Sequence, residues 1–220
     1  PMLTFATPST ASVAVGATQT NAVTSTLSGG SYGAISYTSS DLSKATVDPT
    51  TGVVTGLTVG TITITATQAA AAGFNATTST SYTLTVTIGT PTITTAPTAS
   101  GITYGQTLAA STLSGGTAST AGTFAFTTTS TAPGAGTAAQ GVRFTPTDTT
   151  NYSSTTTTVN VTVAKATPTV TWSTPSTITY GTALSATQLN AMGSVAGTIA
   201  YSPASGTTPS AGTQTLTATF

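Results

Sequence analysis

Four runs along the chain alternate apolar and polar residues. They are Thr61-Ile62-Thr63-Ile64-Thr65-Ala66-Thr67, Tyr82-Thr83-Leu84-Thr85-Val86-Thr87-Ile88, Val159-Asn160-Val161-Thr162-Val163 and Thr215-Leu216-Thr217-Ala218-Thr219-Phe220. A period of two puts the apolar residues on one face and the polar ones, mostly threonines, on the other, as in a half-buried antiparallel sheet. No segment shows a convincing 3.6-residue period. Ala69-Ala70-Ala71-Ala72 fits one helical turn and a loop about equally. Gly and Pro punctuate the chain every ~8–12 residues, the spacing of a β-sandwich or barrel.

A longer period lies over this one. Tyr104-Gly105 recurs 76 residues later as Tyr180-Gly181, Leu113 as Leu189, Pro133 as Pro209 and Phe144 as Phe220. Solenoid repeats run ~20–50 residues, so a period this long means one domain per repeat. The pattern divides the chain into module 1 (1–88), module 2 (89–166) and module 3 (167–220). The joints read Gly89-Thr90-Pro91-Thr92 and Lys165-Ala166-Thr167-Pro168-Thr169. Each is short and carries a proline that fixes φ, which predicts limited bending between neighbours.

Module 2 closes with a predicted strand within 153–164; the copy in module 3 stops at Phe220. Two readings are open. The polypeptide continues past Phe220, or a neighbouring subunit supplies the closing strand. On the second reading Leu3 and Phe5, which alternate correctly, form the donor, although the same stretch fits module 1's own first strand. Leu216, Ala218 and Phe220 then form the acceptor edge, since an unpaired strand is a template for pairing.

Composition narrows the chemistry. There are three Lys+Arg and three Asp+Glu in 220 residues, and no His, Cys or Glu. Threonine makes up roughly 29% of the chain, and β-branched residues favour strands. The balance of charge leaves no footprint for nucleic acid or an anionic membrane. No stretch approaches ~20 continuous apolar residues, so no membrane insertion is expected of this segment. The start, Pro1-Met2-Leu3-Thr4-Phe5, lacks the basic stretch and apolar run of an export signal.

Without His, Cys or Glu there is no Ser-His-Asp or Cys-His pairing and no zinc site of usual composition, so no enzyme, cofactor or metal is expected. Asp41 and Asp48 flank Lys44 and read as a solvated turn, with an Asx-type bond at Asp48-Pro49. Calcium needs six to eight oxygens, several of them usually carboxylates; three Asp over three modules do not supply that at each joint. Asp148-Thr149-Thr150-Asn151-Tyr152 reads as a tight turn, Asp148 bonding backbone amides and Tyr152 packing its ring as in a tyrosine corner. Arg143, between Val142 and Phe144, should face outward. Trp172 lies near a joint and is expected to pack between modules. Among Asn-x-Ser/Thr sites, Asn75 and Asn151 fall in predicted turns and are the candidate glycosylation acceptors.

Module 1 contains Tyr37-Thr38-Ser39-Ser40-Asp41, Lys44-Ala45-Thr46-Val47-Asp48, Gly52-Val53-Val54-Thr55-Gly56-Leu57 and Gly60-Thr61-Ile62-Thr63-Ile64-Thr65-Ala66. This series resembles the bacterial immunoglobulin-like group 2 domain of intimin- and invasin-type surface proteins, with Tyr37 where many relatives carry Trp. Modules 2 and 3 resemble the immunoglobulin-like repeats of large bacterial surface proteins. The carrying residues are Ile102-Thr103-Tyr104-Gly105, Gly122-Thr123-Phe124-Ala125-Phe126, Ala135-Gly136-Thr137 and the run from Phe144 to Tyr152; module 3 lacks the last block.

The resemblance implies an all-β rod of tandem immunoglobulin-like β-sandwiches at the cell surface or outside the cell. Two functions are open. One is a structural segment of an extracellular bacterial rod, stalk or filament, partnered by copies of itself, with parallel terminal strands resisting pull. The other is an adhesin module whose loops contact a host, matrix or glycan ligand.

Overall fold

A computed structural model of the chain describes residues 2–7, 9–26, 33–70, 72–73, 77–78 and 81–220. The chain divides into two compact units, Pro1–Ala164 and Lys165–Phe220. Among the described residues there is no α-helix; one 3-10 turn, Leu108–Ala110, interrupts the strands.

The first ten strands are β1 (Leu3–Phe5), β2 (Thr10–Ala14), β3 (Thr18–Thr20), β4 (Val23–Ser25), β5 (Ile35–Ser39), β6 (Ala45–Val47), β7 (Val53–Gly56), β8 (Gly60–Gln68), β9 (Thr77–Thr78) and β10 (Tyr82–Thr87). One sheet runs β2-β10-β8-β5, with β9 beside β8; the other runs β3-β7-β6. Between them lies a core of Val13, Val54, Ile62, Ile64, Tyr82, Leu84 and Val86, joined by Leu3 and Phe5. The alternating run of β8 explains its place: Ile62, Ile64 and Ala66 are buried while Thr61 is exposed and Thr63, Thr65 and Thr67 are half-buried. β2 pairs with β10 in parallel, from Thr10 opposite Thr83 to Ala14 opposite Thr87.

Leu3 and Phe5, offered above as a donor strand, belong to this core. They lie in β1, which pairs antiparallel with β4, and both are buried. Phe5 meets the ring of Tyr82 edge-on at 4.8 Å. Donating the strand elsewhere would first empty that site, so the place of a module's own first strand is the one they occupy.

The group 2 motif has local reasons. Asp48 accepts the backbone N–H groups of Thr50 and Thr51 at 2.9 and 2.7 Å, making the Asx turn. The chain then reverses through Gly52, at φ +71°, where a Cβ would come within 2.8 Å of the Tyr37 ring. Only glycine satisfies both demands. Asp41 accepts from Ser43 and pairs with Lys44 at 3.4 Å, both exposed to solvent.

The next strands are β11 (Ile93–Thr95), β12 (Thr98–Ala99), β13 (Ile102–Thr103), β14 (Leu113–Ser114), β15 (Thr117–Ala118), β16 (Gly122–Phe126), β17 (Gly136–Pro146) and β18 (Thr155–Ala164). The main sheet is β13-β18-β17-β16, faced by the pairs β11-β15 and β12-β14. A second core gathers Ile102, Leu108, Phe126, Val142, Val159, Val161 and Val163. β18 pairs parallel to β13 and antiparallel to β17 over nine positions, Gly136 opposite Val163 through Phe144 opposite Thr155. Arg143 faces outward and donates to Ser154 Oγ at 2.7 Å.

The second unit contains β19 (Val170–Thr171), β20 (Met192–Gly193), β21 (Ala200–Ser202) and β22 (Thr217–Thr219), paired as β19-β20 and β21-β22. Its buried side chains are Leu184, Gln188 and Leu189. Trp172, expected between modules, is engaged within this unit. Its indole N–H donates to the Gln188 carbonyl at 3.0 Å and its ring meets Tyr201 edge-on. The run 215–220 is strand over three residues only, although its alternation extends further.

Candidate functional site

The densest set of polar contacts bridging the two cores of the first unit is built on the turn between β17 and β18. Asp148 starts it. Its Oδ1 accepts the N–H groups of Thr150 and Asn151 at 3.1 and 3.0 Å, and Oδ2 accepts the Asn151 side-chain amide at 2.7 Å. These bonds fix the Asn151 side chain, which alone would rotate freely. Its Oδ1 then accepts the backbone N–H of Val59, 92 positions earlier, at 2.9 Å.

The backbone continues the joint. Gly89 donates to the Asn151 carbonyl at 2.9 Å, and Ser153 returns an N–H to the Gly89 carbonyl at 2.9 Å. Gly89 and Tyr152 thus form a parallel bridge. Thr90 and Ser153 add a hydroxyl contact at 3.2 Å. Tyr152 is half-buried and packs against the core of the first sandwich. This differs from a tyrosine corner, in which the ring closes its own domain. Gly89 is required for close approach: a Cβ would collide with the Val15 carbonyl and lie 3.2 Å from the Tyr152 ring.

Asn151 was a candidate glycosylation acceptor. The structure places its amide group between Asp148 and Val59, bonded on both sides, so the side chain has a structural task here. Asn75 lies outside the described residues. Among the described residues no group of three or more His, Cys, Asp or Glu comes together.

The Asp148 carboxyl is held below its ordinary value of 3.8, first by the Asn151 side-chain amide, then by the backbone N–H groups of Asn151 and Thr150. A carboxylate whose folded pKa is lowered stabilises the fold in full above its ordinary value; that contribution is lost as pH falls through the folded value. The joint is therefore expected to hold from neutral pH down to about 4 and to loosen below it. Following the Val59 and Gly89 amide resonances with pH checks this. Asp148→Asn should abolish the acid step at those amides, whereas Asp48→Asn should leave it.

Leu216, just before β22, and Ala218 within it are half-buried, and Phe220 is 39% exposed, with its ring over Gly193 and Gly197. The equivalent Phe144 is 1% exposed. A cavity of about 790 Å³ opens beside them, lined by Trp172, Ile178, Tyr180, Leu184, Gln214 and Leu216 among others.

Solved structures of low sequence identity align with the chain. Drosophila N-cadherin EC1-4 is 14% identical with a TM-score of 0.29, covering 74% of this chain and 50% of that one. The chain thus spans half the length of that structure. The Clostridium thermocellum CbhA fibronectin(III)-like modules are 17% identical with a TM-score of 0.27, covering 74% of this chain and 95% of that one. Sidekick-1 immunoglobulin domains 1-4 are 13% identical with a TM-score of 0.26, covering 79% and 54%. No curated protein matches the chain. The family description that matches is the bacterial Ig-like domain (group 2), over residues 5–81, which takes in the Asp48–Gly52 turn and the core residues from Phe5 to Ala66. Residues 5–81, most of the first sandwich, are similar to the bacterial Ig-like domain (group 2).

Proposed function

We propose that the chain is a structural segment of an extracellular bacterial rod, stalk or filament, assembled from copies of itself and carrying no catalytic activity. The observation that supports this most directly is the joint at Asp148–Tyr152. A set of residues that could have formed a ligand-binding loop is spent on Val59 and Gly89 of the adjoining sandwich. Each hydrogen bond adds about 0.5–1.5 kcal/mol net, so several together with the Tyr152 ring suffice to suppress hinge motion. The parallel pairings β2-β10 and β13-β18 fit the same task, because a pull along the chain loads their bonds together.

Nuclear relaxation on the 220-residue chain tests the proposal. Residues of the first sandwich and of β13–β18 are expected to share one rotational correlation time. The double variant Asn151→Ala/Tyr152→Ser should give two. A calcium chelator should change neither result. Independent tumbling of the two sandwiches in the unaltered chain would refute a structural role for this joint.

A further inference from the structure

The two sandwiches of the first unit can be laid on one another by their ladders. In the first, Gly60 stands opposite Val86 and Tyr37 of β5 opposite Ala66. In the second, Gly136 stands opposite Val163 and Phe126 of β16 opposite Val142. β5 and β16 therefore occupy the same place, the edge of the main sheet.

The two edges are guarded differently. After β5 the chain spends residues 40–59 on β6, β7 and their turns. This segment caps the strand: the Tyr37 N–H, which points away from β8, donates to the Pro49 carbonyl at 3.0 Å. Asp41, Lys44 and Asp48 stand in the same segment. Cover and charge are the usual means of keeping an edge from pairing. After β16, residues 127–135 lead straight to β17 and carry no charge. Their carbonyls at Thr129 and Thr131 accept from Ala109 and Leu108 of the 3-10 turn, so the segment is held there. β16 itself, Gly122-Thr123-Phe124-Ala125-Phe126, has neither a charge nor a proline.

This open edge is self-complementary. The Thr127 N–H donates to the Gly141 carbonyl and the Thr147 N–H to that of Ala121, so the odd-numbered positions of β16 bond to β17. The main-chain groups of Gly122, Phe124 and Phe126 point the other way, where among the described residues no strand pairs with them. Two such edges, set antiparallel about Phe124, match group for group. Phe124 meets its own copy, Gly122 meets Phe126 on either side, and all are hydrogen-bonded pairs. Thr123 then falls opposite Ala125, and both are exposed. Phe124 is half-buried and lines a cavity of about 700 Å³; it gains an aromatic cross-strand partner. Arg143, opposite Ala125 on β17, is turned away towards Ser154. With a net charge of zero, copies of the chain do not repel one another.

We propose that β16 is the surface through which copies of this chain associate. The β16 of a second copy adds to it antiparallel and joins two sheets into one across a two-fold axis. The inference rests on the reading of the chain as one that assembles with its own copies. The joint at Asp148–Tyr152 is tested within a single chain, so the two can fail separately.

Sedimentation of the 220-residue chain up to about 1 mM is expected to show a monomer–dimer equilibrium. Exchange protection of the Phe124 and Phe126 N–H groups should rise with concentration. The Thr123 and Ala125 N–H groups face β17 already and should not change. Thr123→Lys/Ala125→Lys sets lysines opposite one another and should weaken association at least about tenfold. Thr123→Lys/Ala125→Asp sets Lys opposite Asp in this antiparallel register and should bring association back to within about threefold of the unaltered chain. That recovery separates the interface from any loss of fold.

Three results would overturn the proposal. The chain stays monomeric over the whole range, which also counts against assembly from its own copies. It associates, but the paired lysines leave association unchanged or protection rises elsewhere; assembly then stands and β16 is not its surface. The Lys/Asp variant, with its melting temperature unchanged, associates as weakly as the lysine variant.

Discussion

Phe5→Ala is expected to destabilise the first sandwich by about 3–5 kcal/mol, the usual cost of deleting a buried aromatic ring. Phe5 is 3% exposed and its ring stands edge-on to Tyr82. The site cannot collapse easily, because Leu3, Leu84 and Ile64 around it are held by strand pairing. Domains of this size have total stabilities of about 5–15 kcal/mol, so the variant should be partly unfolded under mild denaturant. Urea unfolding, read by Tyr82 fluorescence or amide resonances, measures it. A strand reserved for donation predicts the opposite pattern: unchanged stability of the first sandwich and lost association between chains.

Gly89→Val should have the second largest effect, about 1–3 kcal/mol, as for other overpacked sites. A Cβ at this position meets the Val15 carbonyl, and backbone does not swing aside as a side chain does. Either β2 moves away from β10, or Gly89 leaves its bonds with Asn151 and Ser153. The second route is easier because it breaks fewer ladder bonds. The first sandwich should therefore keep most of its stability while Tyr152 becomes exposed. Enhanced hydrogen exchange at Val59, Asn151 and Ser153, with Leu84 and Val86 unchanged, is the expected signature. Loss of protection throughout β2 and β10 would show that the strain had entered the sheet instead.

The sheets were readable in the sequence because a period of two leaves a direct trace. Ile62, Ile64 and Ala66 point inward, as do Val159, Val161 and Val163. The Asx turns at Asp48 and Asp148 were readable too, since Asp and Asn act on amides two or three residues away. What was not readable is contact at long range. Nothing near Asn151 in sequence indicates that its side chain meets Val59. Tyr152 was given the wrong neighbour for the same reason. An aromatic residue announces that it will be buried, not against what. Three-residue strands such as β3 and β6 leave too little alternation to see. The run 215–220 shows the reverse case. Its pattern is a full strand, yet it pairs over only three residues, because a ladder needs a partner as well as a pattern.

The scarcity of cations also governs how the chain meets proteases that cut after Lys or Arg. Such enzymes find three positions, Lys44, Arg143 and Lys165. Lys44 is tied into a tight turn with Asp41. Arg143 lies inside β17 with paired strands on both sides, so its backbone cannot be drawn out into an active-site cleft without dismantling the sheet. Lys165 is exposed and lies just beyond β18, outside any strand. Digestion by a trypsin-like enzyme should therefore stop after a single cut, releasing 1–165 intact.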